Sequence, residues 1–190
     1  SASKGAAEIA IASWRRSFCL PLASVRAGNV IGGGDWATDR IIPDCIRAFE
    51  KDKAVMLRNP DAIRPWQHVL EPISGYMLLA RKLYDNPVEY GEGWNFGPNL
   101  ESVSTVREVA DKLVKYYGHG SVEYANLQDQ PHEANLLMLD VAKAKFKLGW
   151  QPRLNIDQCM HYVADWYSRY QTEPVYDLCV EQIIKYSKQE

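Results

Sequence analysis

With 190 residues, the chain is long enough for one domain that buries about 70% of its unfolded surface. Its formal charge of −2, with acids and bases mixed along the sequence, argues against a basic nucleic-acid face, and no apolar run approaches the ~20 residues that span a bilayer. No signal-peptide pattern is visible, and Cys19, Cys45, Cys159 and Cys179 lie far apart with no CxxC spacing, so reduced, mostly buried thiols and a cytoplasmic location are expected.

Helix and strand alternate along the chain, the pattern of an α/β fold. An alanine-rich helix is expected over 1–17, ending near Leu20 and Pro21, and then a buried, parallel-type strand over 22–27. Gly28 and Asn29 close that strand, and Gly32, Gly33 and Gly34 follow. Ligands gather at the carboxyl ends of strands in open α/β sheets, so this loop can bring backbone close to a ligand; a tight turn is the plainer reading of the same glycines. Residues 39–52 read as a helix with Ile42, Cys45, Ile46 and Phe49 on one face and Pro43 in its first turn. The strand Ala54–Leu57 precedes a proline-containing loop that ends in an extended piece at 67–69.

An amphipathic helix over 72–84 and a strand over 93–97 come next. Thr105 and Glu108 form a capping box for a helix over 105–117, whose apolar stripe runs Val106, Val109, Ala110, Leu113, Val114 and Tyr117. A strand at Ser121–Tyr124, a short helix over 141–148 closed by Gly149, a helix over 156–170 and a last helix from near Pro174 complete the chain. There is no internal repeat, low-complexity tract or long linker.

Four groups of residues carry possible chemistry. Lys4 alone is most simply a solvated side chain. Arg58 and Arg64 flank one short loop braced by Ile63 and Trp66; most arginines are surface groups, but two guanidinium forks on one loop also suit a diphosphate. His132 and Glu133 read most simply as a loop pair making helix-cap bonds. The loop after Gly28 is neither a Gly-x-Gly-x-x-Gly turn nor a P-loop. His68, His119, His132 and His161 are isolated, so no metal site is expected.

These motifs resemble those of the extended short-chain dehydrogenase/reductases that act on nucleotide sugars, and the resemblance covers nearly the whole chain. Ser-Ala-Ser-Lys4-Gly-Ala-Ala-Glu8 resembles the tail of that family's Tyr-x-x-x-Lys motif, in which the two side chains share a helix face. The tyrosine would stand immediately before Ser1, so the chain is expected to be the second part of a larger protein. Arg26-Ala-Gly-Asn29-Val30 resembles a strand end whose asparagine contacts the sugar nucleotide and whose backbone contacts the nicotinamide. Arg64-Pro-Trp66-Gln-His-Val69 resembles an Arg-x-Trp-x-x-Val piece whose arginine grips the diphosphate; Glu71 stands where many relatives have aspartate. Leu148-Gly-Trp150-Gln-Pro152 resembles a structural cap with a buried indole. The nearest likeness is to members that dehydrate CDP-glucose, through Ala27–Trp36, Arg58–Pro72 and Pro131-His-Glu-Ala-Asn135.

The resemblance implies an α/β fold, the C-terminal part of a doubly wound Rossmann-like parallel sheet plus a small α/β substrate-binding domain. Residues 1–52 would end the NAD-binding domain, and 53–190 would mainly hold the sugar nucleotide, with some segments returning to the sheet. It implies NAD as cofactor, Lys4 as catalytic residue, and Lys4, Ala27, Asn29 and Val30 as cofactor contacts. Asn29, Arg40, Arg58, Arg64, His132 and Glu133 would hold a nucleotide-diphosphate sugar such as CDP-glucose. No nucleic acid or membrane partner is implied; a homodimer or higher homo-oligomer is. In this chemistry a nicotinamide takes hydride from C4 of the hexose while the tyrosine takes the hydroxyl proton. The 4-keto group acidifies C5, water leaves across C5–C6, and the hydride returns to C6. Lys4 would bond the cofactor ribose and lower the tyrosine pKa from about 10. The product would resemble a precursor of dideoxy sugars in bacterial lipopolysaccharide O-antigen. A nucleotide-sugar 4-epimerase or decarboxylase, and a non-catalytic nucleotide-sugar-binding module, stay open. A chain without its other half should expose apolar surface.

Overall fold

The computed structural model describes residues 2–124 and 136–189. It opens with α1 (Ala2–Phe18), β1 (Ser24–Ala27), β2 (Asn29–Ile31), α2 (Ile41–Phe49) and β3 (Ala54–Leu57). Then come β4 (Ile63–Arg64), β5 (Trp66–His68), α3 (Leu70–Asp85), the single turn α4 (Pro87–Tyr90) and β6 (Gly93–Phe96). A 3₁₀ turn at Leu100–Ser102 leads to β7 (Ser104–Thr105), α5 (Val106–Tyr117) and β8 (Ser121–Tyr124). A π-helical turn at Ala144–Leu148, α6 (Ile156–Arg169) and α7 (Val175–Ser187) follow.

Three strand pairs are parallel: β1 with β6, β2 with β5, and β3 with β8. The two-residue pair β4–β7 is antiparallel. The chain changes partners at Gly28, whose N–H donates to the Phe96 carbonyl at 3.2 Å while the Asn29 N–H donates to the Pro65 carbonyl at 2.9 Å. A Cβ at Gly28 would stand 2.3 Å from the Pro65 oxygen, so only glycine makes this crossing.

Several expected elements shift for local reasons. Residues 29–31, read as part of a loop, form β2 because Asn29, Val30 and Ile31 find partners in β5. β1 is not the buried strand expected: Ser24 is buried, but Val25 and Arg26 are exposed. The helix expected over 39–52 is confined to α2, since Asp39 and Asp52 take φ of 59° and 52°, the left-handed region that ends a right-handed helix. The helix expected over 72–84 starts at Leu70, which puts Pro72 in the first turn where its missing N–H costs nothing. The segment expected as a helix over 141–148 widens into the π turn and ends at Gly149, φ 72°. The capping box forms as read: the Glu108 N–H donates to Thr105 Oγ1 at 3.1 Å and the Thr105 N–H to Glu108 Oε2 at 2.8 Å.

Two cores carry the fold. The larger packs Ile42, Cys45, Ile46 and Phe49 of α2 against Val109 and Leu113 of α5, and against Cys159, Met160, Val163, Trp166 and Tyr167 of α6. The smaller joins Leu79, Tyr90, Trp94, Phe96, Leu148 and Trp150. Cys45 and Cys159 are buried, and burial pushes both thiols up to about 12; Cys19 and Cys179 are exposed, so half of the thiols depart from the buried reading. α1 buries none of its side chains, and Ile9, Trp14 and Phe18 stand 74%, 58% and 61% exposed. Among the described residues, no helix is long and apolar enough to cross a membrane.

Candidate functional site

The carboxyl ends of β1, β3 and β4 and the start of α2 open on one cleft of about 950 Å³, a volume that suits a small-molecule ligand. Lys4 reaches it from the first turn of α1, and Ala27, Asn29 and Val30 from the β1–β2 crossing. Arg40 lines it from the residue before α2, Arg58 from the residue after β3, and Arg64 from β4. Seven residues singled out in the sequence thus share one cavity although they span positions 4 to 64. His132 and Glu133 lie outside the described residues.

Arg64 is 8% exposed, and its Nη1 donates to the Ile63 carbonyl at 2.9 Å. Its strand is pinned by pairing with Ser104. Arg58 is exposed and stands 3.9 Å from Asp39. α2 begins at Ile41 with no side-chain cap on its first N–H groups, and Ile41 and Ile42 line the cleft. An uncapped helix start is electropositive. With Lys4, Arg40, Arg58 and Arg64 beside it, the cleft favours an anionic ligand. Two of its acids are engaged locally: Asp44 pairs with Arg47, and Asp35 Oδ1 accepts the Ala37 N–H at 2.9 Å.

The glycine-rich loop borders the cleft through Gly28 and Gly32 and also serves packing. A Cβ at Gly33 would lie 2.1 Å from the Trp166 ring, and one at Gly32 would lie 2.8 Å from Val69. Gly33 admits the Trp166 ring, and Gly32 admits Val69 on one side while lining the cleft. The loop is also held from behind: Arg47 donates to the Trp36 and Ala37 carbonyls at 2.9 and 3.2 Å, and the Tyr167 hydroxyl donates to the Asp35 carbonyl at 2.7 Å. The cleft wall made by Asp35, Ala37, Asp39 and Arg40 therefore rests on α2 and α6.

β5, which pairs with β2, and the first turn of α3 carry buried polar groups. Gln67 donates from Nε2 to the Phe96 carbonyl at 2.9 Å. Burial pushes the His68 imidazole down to about 4, so it is neutral at pH 7. Glu71 accepts the backbone N–H groups of Arg153 and Leu154 at 2.8 and 2.6 Å and the Tyr186 hydroxyl at 2.9 Å. Burial, the largest influence, raises its carboxyl above the usual range. Trp150 is buried as expected, its Nε1 donating to Ser74 Oγ at 3.0 Å.

Sequence reading missed Met56, Asp39 and Asn59, all on the cleft. Met56 is 55% exposed because it alternates with Val55 and Leu57 along β3. Asp39 and Asn59 take φ of 59° and 48°; short polar residues beside a strand or helix end are the signal that could have marked these turns. Among the described residues, no group of three or more His, Cys, Asp or Glu could hold a metal.

The donor set fits one end of a nicotinamide nucleotide. An ammonium at Lys4 suits ribose hydroxyls, and Val30, 40% exposed on the cleft, offers an apolar surface to a flat ring.

A family described as GDP-mannose 4,6 dehydratase matches residues 1–163. A CDP-glucose 4,6-dehydratase of Salmonella typhimurium is 47% identical over 174 residues, covering 87% of this chain and 48% of that protein. A dTDP-glucose 4,6-dehydratase of Haemophilus influenzae is 26% identical, covering 88% of this chain and 51% of that protein. The chain thus spans about half the length of these relatives. Among solved structures, dTDP-glucose 4,6-dehydratase from Bacillus anthracis, in complex with NAD, superposes with a TM-score of 0.74 at 21% identity, covering 90% of this chain and 52% of that one. At that identity the likeness speaks for the fold, an α/β architecture with parallel strands.

Proposed function

Since the chain belongs to the GDP-mannose 4,6 dehydratase family, we propose that it supplies the substrate-holding side of an NAD-dependent CDP-glucose 4,6-dehydratase. The observation that carries this is Lys4 on the same cleft as Arg64 and the open start of α2. A cation for the reacting centre and a cradle for a diphosphate then share one cavity. The 47% identity to the Salmonella protein supports CDP-glucose over other sugar nucleotides.

On this reading Arg58 and Arg64 bind the diphosphate with guanidinium forks, and the α2 N–H groups add donors. Asn29 orients the sugar nucleotide, and Arg40 adds positive charge where the phosphates enter. Val30 and the Ala27 backbone border the nicotinamide. NAD, when bound, would supply the hydride acceptor and donor for this chemistry. Lys4 holds the ribose and places a positive charge where the C4 hydroxyl loses its proton, which favours an adjacent phenolate. Residues 1–52 belong, on the same reading, to the NAD-binding sheet, and 53–190 mainly to the sugar-nucleotide domain. The exposed Trp14 and Phe18 of α1 leave apolar surface for a partner such as a second copy, and a soluble, cytoplasmic nucleotide-sugar pathway suits the cofactor.

The test is to supply the protein of the complete reading frame with CDP-glucose and NAD and to follow 4-keto product by its ultraviolet absorbance in base. Conversion is expected, with UDP-glucose and dTDP-glucose turned over more slowly. Inversion at C4 without a keto product would instead identify a 4-epimerase, and binding without turnover a non-catalytic module.

A further inference from the structure

Among the described residues, Glu8 supplies the side-chain hydrogen bonds that join α1 to the rest of the fold. Its Oε2 accepts the Ser24 hydroxyl at 2.7 Å and its Oε1 accepts Arg26 Nε at 2.9 Å. Arg26 Nη2 also stands 2.7 Å from Oε2, so both carboxylate oxygens are taken by β1. Arg26 is braced in turn: its Nη1 donates to Asn95 Oδ1 at 3.2 Å, and Asn95 Nδ2 donates to the Asp140 carbonyl at 3.0 Å.

Lys4 and Glu8 are four residues apart, so they share one face of α1, about 6 Å apart along its axis. A lysine and a glutamate at that spacing are within reach of each other, though the lysine-first order pairs more weakly than the reverse. Here the glutamate is bound to Ser24 and Arg26 on β1, while the lysine lines the cleft beside Ala27 and Asn29, where β1 ends.

We propose that Ser24 and Arg26 are positioning residues: they draw the Glu8 carboxylate onto β1 and away from Lys4, so that the ammonium enters the cleft with its charge uncompensated by its own helix. The inference rests on the reading of Lys4 as the cation of the reacting centre. The Ser24 bond first, and the Arg26 bond second, hold the Glu8 carboxyl below the usual carboxylate range. Glu8 therefore stays ionised and would compete for Lys4 wherever Arg26 was lost. Among the described residues, the other charges on the cleft are Asp35, Asp39, Arg40, Asp44, Arg58 and Arg64. Asp44 is paired with Arg47, Asp39 faces Arg58 and Asp35 Oδ1 accepts the Ala37 N–H, while Glu8 is the acid that helix geometry places one turn from Lys4.

The experiment compares Arg26→Gln, Glu8→Gln and the double variant in the protein of the complete reading frame. It reads kcat and KM for CDP-glucose, together with the rate of acetylation at Lys4 by acetic anhydride and mass spectrometry. In Arg26→Gln the carboxylate loses its charged partner, keeps only the Ser24 hydroxyl, and turns in part toward Lys4. Its kcat should fall by about twofold with KM unchanged, and acetylation at Lys4 should slow by a similar factor, the share of the lysine that an exposed i,i+4 ion pair takes up. Adding Glu8→Gln removes the competitor, so both values should rise above those of Arg26→Gln. A merely structural brace predicts the reverse, a double variant at least as impaired as the single one. That result, or wild-type acetylation in Arg26→Gln, overturns the proposal. Acetylation reads out whether or not CDP-glucose is converted, so an inactive wild type would refute the proposed function and leave the acetylation pattern to decide the role of Arg26.

Discussion

Arg64 and His68 lie four residues apart and answer to different physics. Arg64 presents a guanidinium to the cleft, so Arg64→Ala should weaken CDP binding by about 1.5–3 kcal/mol, the cost of a lost charged hydrogen bond. Calorimetry on the protein of the complete reading frame checks this; unchanged affinity removes Arg64 from the diphosphate site. His68 is neutral in the fold because burial holds its pKa at about 4, against about 6.5 in an unfolded chain. A depressed pKa contributes stability that is complete above pH 6.5 and is lost as pH falls toward 4, up to about 3 kcal/mol. Thermal midpoints between pH 7 and 4.5 should therefore drop more steeply in the wild type than in His68→Gln. At this scale the sequence showed charge and shape but not burial. Arg64 was legible because its neighbours form a recognisable motif. The Glu8–Arg26 bond was not, because two exposed-looking charges 18 residues apart carry no pattern until a helix is laid against a strand.

Elements were legible where their cause is local. The box at Thr105 and Glu108 and the stop at Gly149 are written in a few adjacent residues, and both formed. A second box at Asn155 and Gln158 carried the same kind of signal and went unread. β4 and β7 were invisible, since a two-residue antiparallel pair is decided by which backbone lies opposite. β2 was hidden between glycines, and those glycines report on packing. Gly33→Ala should destabilise the fold by about 1–3 kcal/mol, because its methyl group would meet the Trp166 ring in a close-packed core. Urea unfolding measures this, and a midpoint equal to wild type would show that α6 gives way freely. Trp166→Ala is itself destabilising, by about 3–5 kcal/mol, but in its background Gly33→Ala should cost less than in the wild type.

Across the whole molecule, the cleft draws on α1, the β1–β2 crossing, α2, β3 and β4, so a ligand that fills it holds together segments distant in sequence. CDP at 100 times its dissociation constant should stabilise the fold by about 2.7 kcal/mol. For a protein of this size that is a rise in thermal midpoint on the order of 5–10 °C. Differential scanning fluorimetry checks it, and no shift at saturating CDP would mean that the cavity is not the nucleotide site. Which residues meet at this scale could be expected from the family resemblance, but not from spacing alone, because the meeting depends on the partner change at Gly28.

The bonds of Glu71 reach to the far end of the chain. Tyr186 closes over a carboxylate 115 positions earlier, and Arg153 donates to the carbonyls of Tyr186, Ser187 and Gln189. A purification tag or reporter fused directly after Ser187 would thus tug on the buried carboxylate that ties α7 to α3 instead of trailing in solvent, and a spacer placed beyond Gln189 is the sounder engineering choice.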